Sequence, residues 1–356
     1  MQSLQSRLND FSSGPLSKIG LFFRYRSSYR YAVITSLSLR QFRGFEELHF
    51  PKLARVNLIG GVNNAGKTAV LEAIYLLTER DPGRLNTLPH LFRPASGVND
   101  DRYFWQWLAH NKDERAETVI SGEVRNVAYQ VVWHSVADRK PHQGNALIHH
   151  AGRQLVVPHL HNEVIANWPK PEVFSPAPTK PIEDAQIYIK AAKKAADGEE
   201  RIESLLREIE PRLKRVRVFP DEQTNQPLIH VGLDRGEALP SNQLGQGFNR
   251  LLRIYSALLC ADAKIFLIDE IETGLHHTAL PMFWKGLAAM ARQEDVQIFA
   301  TSHSREAIFD AHRVFSTDLE YDFAYHRLER DEKQIRVLTY GKDRLDGADE
   351  RNFEVR

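Results

Sequence analysis

The sequence predicts an α/β fold: a mostly parallel sheet flanked by helices, with an antiparallel β subdomain and a helical insertion. Two observations carry that expectation. Three short apolar runs, Arg55–Gly60, Lys264–Ile268 and Val296–Thr301, are each followed by a helical pattern. Strand–helix alternation with strands apolar on both faces is the pattern of a parallel sheet covered on both sides. Separately, Val33–Leu39 and Glu117–Trp133 alternate or cluster β-formers without an intervening crossover helix, as antiparallel strands do. With 356 residues the chain can form one large domain or two modest ones around a sizeable core.

Taken in order, residues 1–31 form a basic-aromatic extension, in which Leu21–Tyr31 interleaves Phe and Tyr with Arg24, Arg26 and Arg30. From Met1 to Arg43 there are seven basic residues and one acidic residue, Asp10. Three readings stay open for this segment: a surface for nucleic acid, by base stacking and phosphate pairing; a membrane-surface or targeting segment, though without the small-residue cleavage site of a secretory signal; or an arm docked on the rest of the chain. An N-terminal lobe, 32–139, starts with Val33–Leu39, turns at Gln41–Phe45, resumes at Glu47–Phe50 and reaches the buried strand Arg55–Gly60. The following helix, Ala69–Leu77, is apolar nearly all round, as expected of a helix between two layers. Residues 140–214 read as an insertion. Seven of the seventeen prolines fall between Lys140 and Pro181, which denies a long helix or a central strand, so irregular structure is expected there. Helices follow at Ile182–Asp197 and at Glu199–Glu210, stopped by Pro211. The C-terminal lobe, 215–356, opens on a hairpin, Arg215–Phe219 with Pro227–Leu233. A helix from Gly247, the strand Lys264–Ile268, a helix Ala279–Arg292, the strand Val296–Thr301, a helix after Ser304 and a closing hairpin, Phe323–Arg330 with Gln334–Tyr340, complete it.

Composition excludes several classes. No run approaches the length of about 18 apolar residues that a membrane helix needs, so no membrane association is expected and a cytoplasmic location is. Cys260 is the single cysteine, which excludes a disulfide framework and a cysteine zinc finger. Basic and acidic residues balance at 47 and 46, so the chain as a whole has no electrostatic case for wrapping nucleic acid.

Chemistry concentrates in four strings. Gly61-Val62-Asn63-Asn64-Ala65-Gly66-Lys67-Thr68 satisfies G-x-x-x-x-G-K-[ST] between a buried strand and a helix. Glycines let backbone N–H groups converge on phosphates at a helix N-terminus; Lys67 would reach the β- and γ-phosphates of ATP and Thr68 would ligate Mg²⁺. Ile265-Phe266-Leu267-Ile268-Asp269-Glu270 delivers two carboxylates to the carboxyl edge of the sheet. Asp269 would hold the metal, and Glu270, with no metal duty, would act as general base. His303, ending the next predicted strand, can sense the γ-phosphate. Ser241–Phe248 holds a second glycine-rich helix start, Gly245-Gln246-Gly247. Two anion-binding helix starts on one chain suggest a homodimer in which each subunit covers the other's nucleotide. The pairs His149-His150 and His159, His161 have no partner at metal-ligand spacing and read as incidental. Asp318, Glu320 and Asp322 read as a solvated turn.

The order phosphate loop, glycine-rich signature, apolar-Asp-Glu, histidine resembles ABC-type ATPases. It is most similar to the soluble branch related to SMC and recombination-repair ATPases and to the ATPase half of the overcoming-lysogenisation-defect (OLD) proteins. Ile34–Phe45, with Phe42-Arg43-Gly44, is similar to that branch's opening strand and its Phe-Arg motif; Asp269–His277 and Ala300–Ser304 are similar to its other motifs. The resemblance spans Ala32 to the C-terminus. It implies that Arg43 contacts nucleotide, that Gly274–His276 crosses the dimer, and that Gly245–Gly247 cap the partner's γ-phosphate. It departs from the pattern at Gly245, where ABC signatures carry serine, and in its glutamine loop, for which Gln106 is the candidate. With 53 residues after His303, fewer than a TOPRIM nuclease domain needs, none is expected there. The resemblance thus implies an ATP-hydrolysing switch in a DNA-transaction or anti-phage system, with a separately encoded effector (a nuclease or a toxin). The alternatives are a transporter's nucleotide-binding subunit, disfavoured by the altered signature, and a binding-only scaffold.

Overall fold

The computed structural model of the chain describes residues 33–92, 101–113, 117–124, 127–133, 147–150, 153–156, 168–176, 179–234, 236–260, 262–318, 320–331 and 334–351. The basic-aromatic extension, His159 and His161 lie outside them. Contacts divide the chain into Met1–Tyr31 and Ala32–Arg356.

Two six-stranded sheets enclose a helix. The first is antiparallel. Its strands are β1 (Ile34–Phe42), β2 (Phe45–Phe50), β4 (Thr118–Val124), β5 (Val127–Trp133), β6 (Leu147–His150) and β7 (Arg153–Val156), in the order β2-β1-β4-β5-β6-β7. The second contains β3 (Val56–Gly61), β8 (Pro171–Phe174), β12 (Ile265–Ile268), β13 (Gln297–Thr301), β14 (Phe323–Arg330) and β15 (Ile335–Tyr340). Its order is β15-β14-β3-β13-β12-β8, and every neighbouring pair is parallel except β14 with β15. A small antiparallel sheet, β11-β10-β9, joins β9 (Arg215–Pro220), β10 (Pro227–Gly232) and β11 (Leu239–Pro240).

Between the large sheets runs α1 (Lys67–Thr78), in which every residue but Thr68 is buried. That is why its sequence shows no polar face. The parallel strands alternate between two cores. Ile59, Ile265, Leu267 and Phe299 pack with α1 and the antiparallel sheet, while Val56, Leu58, Phe266, Ile268, Ile298 and Ala300 face the other side. That second core is filled by α5 (Pro181–Lys194), α6 (Gly198–Arg207), α7 (Gln246–Cys260), α8 (Leu280–Gln293), α9 (Arg305–Ser316) and α10 (Lys342–Glu350). Short helices α2 (Pro82–Leu85), α3 (Leu88–Leu91) and α4 (Asp101–Gln106) link α1 to β4.

The expectation of irregular structure over Lys140–Pro181 is corrected. β6 and β7 extend the antiparallel sheet, and β8 forms the outer edge of the parallel sheet, paired with β12 from Ile265↔Pro171 to Ile268↔Phe174. The proline argument still holds in its narrower form. Pro171 opens an edge strand, where a missing N–H costs no ladder bond. Asp318 and Asp322 are not simply solvated, since the Arg292 guanidinium donates to Asp318 at 2.6 Å and to Asp322 at 3.0 Å. Among the described residues no helix is long and apolar enough to cross a membrane.

Candidate active site

The strand order sets the site. β13 lies between β3 and β12, so the carboxyl ends of these three strands bring the phosphate loop, His303 and the Asp269-Glu270 pair to one edge. After β3 the chain enters left-handed backbone at Gly61 (φ 134°), Asn64 (φ 61°) and Gly66 (φ 92°). Reversals of this kind turn successive N–H groups into one concavity. Glycine is required at two of these positions for a second reason. A Cβ at Gly61 would meet the Leu328 carbonyl oxygen at 2.5 Å, and one at Gly66 would strike the Phe45 ring. Ala65 is buried behind the loop, while Asn63 and Asn64 are exposed at its tip.

Lys67 is buried, and its ammonium donates to the carbonyls of Gly61 (2.8 Å) and Val62 (3.0 Å). Burial pulls its pKa below the ordinary lysine value, against the opposing pull of Asp269, Glu272 and Glu270. The cation therefore sits within the field of three carboxylates, at the loop it would serve. Thr68 donates its hydroxyl to Asp269, with 3.1 and 3.3 Å to the two carboxylate oxygens. Asp269 is also buried and accepts from the Thr301 hydroxyl at 2.6 Å. Desolvation holds its pKa above the usual carboxylate range. A buried carboxylate bonded to two hydroxyls, one of them a phosphate-loop threonine, fits a hard divalent cation such as Mg²⁺.

Glu270 follows in left-handed backbone, φ 48°, a conformation that costs a non-glycine residue about 1 kcal/mol or more. Four bonds hold it there. Its N–H donates to Thr301 Oγ1 (2.8 Å), its carbonyl accepts from the Thr273 N–H (2.9 Å) and from Arg250 (2.9 Å), and Thr273 Oγ1 donates to its carboxylate (3.0 Å). Strain at the residue that would activate water, over-determined by its surroundings, is what a positioned base requires. His303 is exposed just past β13, and its backbone N–H donates to Glu272 at 2.7 Å.

The remaining expected residues fall into two groups. Gly245 and Gln246 are exposed at the start of α7, and an added Cβ at Gly245 would meet nothing within 4 Å. Gly247 is buried instead, its backbone packed against Gly274 and Leu275 of its own chain. Arg43 is held by its own chain as well. Its Nε donates to Glu72 on α1 at 2.9 Å, an Nη donates to the Phe104 carbonyl at 3.2 Å, and the guanidinium lies 4.2 Å from the Phe104 ring centroid. Direct contact of Arg43 with nucleotide would need those bonds to open. Gln106 ends α4, two residues before Leu108, whose carbonyl accepts from the Arg43 N–H.

Sequence reading missed Thr301, Thr273, Glu272 and Arg250 as members of the site. A threonine ending a buried strand was a signal for the first. The other three are visible only once the end of β12, its following loop and α7 are brought together.

Four likenesses to known proteins bear on this arrangement. The family described as "AAA domain, putative AbiEii toxin, Type IV TA system" matches residues 142–310, which hold the glycine-rich helix start, Asp269-Glu270 and His303 but not the phosphate loop. An ATP/GTP phosphatase of Helicobacter pylori is 22% identical over 369 aligned positions, spanning 88% of this chain and 97% of its own. An SMC head bound to the C-winged helix domain of ScpA aligns with TM-score 0.56 at 12% identity, over 88% of this chain and 99% of that one. A further SMC head, bound to the C-terminal domain of ScpA derived from Pyrococcus furiosus, aligns with TM-score 0.54 at 10% identity, over 90% and 99%. The fold is that of an α/β P-loop NTPase of the SMC-head kind. Family match and relative together support nucleotide hydrolysis by an AAA-type domain, at low identity.

Proposed function

We propose that this chain binds ATP with Mg²⁺, hydrolyses it slowly, and dimerises around two nucleotides as the switch subunit of a larger system. The observation that carries the reading is the convergence on Asp269 and Glu270. Thr68 and Asp269 meet as a pair of hard oxygen donors, while the adjacent Glu270 is kept out of that pair and held in strained backbone. Thr68 and Asp269 would hold Mg²⁺, which when bound neutralises phosphate charge. Lys67 exchanges the Gly61 and Val62 carbonyls for phosphate oxygens. With one carboxylate oxygen of Glu270 held by Thr273, the other accepts the proton of the attacking water. His303, exposed beside the carboxylates, contacts the γ-phosphate and reports its loss.

Gly245 and Gln246, exposed at a helix start, support a dimer in which this edge covers the partner's γ-phosphate. A test follows from the open space at Gly245. Gly245→Arg should leave ATP binding intact and block hydrolysis. Mixing it with Lys67→Ala should restore about one working composite site per heterodimer. If the mixture stays inactive, sites are not shared between subunits.

A role in a DNA-transaction or defence complex, with a separate effector, draws support from the toxin–antitoxin description of the matching family and from the ScpA-bound SMC heads. The helices α5 and α6, peripheral to the nucleotide edge, are the proposed contact with that effector. Recovery of this chain alone by pull-down from its native cell would contradict the partner. Nucleic-acid binding is assigned to Arg24, Arg26 and Arg30. It should weaken steeply between about 50 and 200 mM salt and should be lost in a chain starting at Ala32; equal affinity of the two forms would remove it.

A further inference from the structure

We propose that Arg250 is the positioning residue of the base: it sets the left-handed backbone of Glu270 and ties the competence of that carboxylate to the placement of the signature helix α7. The inference rests on the reading of Glu270 as general base.

One guanidinium nitrogen, Nη2 of Arg250, donates to two successive carbonyls, those of Asp269 (2.6 Å) and Glu270 (2.9 Å). In extended chain, consecutive carbonyls point to opposite sides. They can share one donor only where the residue between the two peptide planes leaves extended backbone, and here that residue is Glu270, at φ 48°. Thr301 and Thr273 satisfy the N–H and the carboxylate of Glu270, but neither joins the two carbonyls. That junction belongs to Arg250.

Its origin gives the second half. Arg250 lies on α7, one turn beyond Gln246, in the exposed helix start that would face a partner's nucleotide. Gly247 itself packs on Gly274, in the loop that follows Glu270. The start of α7, the loop after the base and the base's own backbone therefore move as one piece. A shift of α7 on engaging a second nucleotide is delivered through Arg250 to the carbonyls on either side of the Glu270 Cα. Burial works against the charged guanidinium, and Glu270, Glu272 and Asp269 supply the negative field that opposes that cost at this place.

The test is a cycle of single-turnover rates in wild type, Arg250→Met, Glu270→Gln and the double variant, with ATP affinity and thermal midpoint measured for each. Methionine keeps the aliphatic stem, and Arg250→Lys, which keeps the charge, is the second variant if Met fails to fold. The expected result is a loss of roughly a hundredfold in Arg250→Met, as for a misplaced catalytic group, with ATP affinity within about threefold. Lys should recover part of the rate. Arg250→Met should cost nothing further on the Glu270→Gln background, because a residue acting through another has no effect once that other is gone. A wild-type rate in both Arg250 variants overturns the inference. So does an Arg250 loss that is undiminished on the Glu270→Gln background, or one that tracks falling ATP affinity and midpoint. A Glu270→Gln variant as fast as wild type would instead remove the reading on which the inference rests.

Discussion

Glycines that look alike in the sequence have opposite duties at the start of α7. An added Cβ at Gly247 would strike the Gly274 carbonyl, a backbone atom that cannot retreat. Gly247→Ala should therefore lower stability by about 1–3 kcal/mol, as overpacking does, read as a fall in the denaturation midpoint; an unchanged midpoint would contradict the packing. Two residues earlier, Gly245 faces open space. Gly245→Ser should leave stability within about 0.5 kcal/mol. By supplying a hydroxyl at this helix start, it should raise hydrolysis by roughly tenfold or more, the scale of one hydrogen bond to a charged group. A rate that does not rise would mean that this helix start does not meet a γ-phosphate. The sequence identified the string as a glycine-rich helix start, but the division of labour depends on Gly274, 27 positions away. Arg43 teaches the same lesson. Its motif was legible, whereas its ion pair with Glu72 follows from α1 being clamped between two sheets.

Among the elements, β14 carries a buried polar group between β3 and the edge strand β15. His326 is fully buried, with Nε2 3.2 Å from Asn57 Oδ1 and Nδ1 3.0 Å from Thr339 Oγ1. Asn57 Oδ1 already accepts from the Ala54 N–H, so it is an acceptor here and His326 must donate through Nε2 while Nδ1 accepts from Thr339. The ring is neutral, and burial drives its pKa down to about 3. In the unfolded chain the same histidine titrates near 6.5. Its contribution to stability is thus full above pH 6.5 and is lost as pH falls toward 3. From pH 6.5 to 5 that loss is about 2 kcal/mol from this one group. Urea unfolding at pH 7.5 and 5, for wild type and His326→Gln, should give the variant the flatter dependence; equal slopes would contradict a buried neutral ring. Apolar strands and their order in the chain were legible from local pattern alone. β8 was not, because a four-residue edge strand opening on proline has no periodicity to read and is specified only by its partner β12.

On the scale of the whole molecule, the topology makes the site. Neither Lys67 nor Glu270 is near the other in sequence, and β13, placed between β3 and β12, brings their loops to one edge while supplying Thr301 to bridge Asp269 and Glu270. Motif order foretold that meeting. It could not foretell that Asp269 would be secured by two hydroxyls, or that the backbone of Glu270 would be left-handed and gripped from α7. The proposed function divides duties between those two adjacent carboxylates, Asp269 for the metal and Glu270 for the water. Single-turnover hydrolysis of Mg²⁺-ATP by Glu270→Gln, beside wild type and Lys67→Ala, tests it most directly. Glu270→Gln should bind ATP as wild type does, hydrolyse it at least a hundredfold more slowly, the lower end of the range for a lost general base, and accumulate as a nucleotide-bridged dimer in light scattering, while Lys67→Ala binds no ATP. Undiminished hydrolysis in Glu270→Gln, or wild-type ATP affinity in Lys67→Ala, would contradict it.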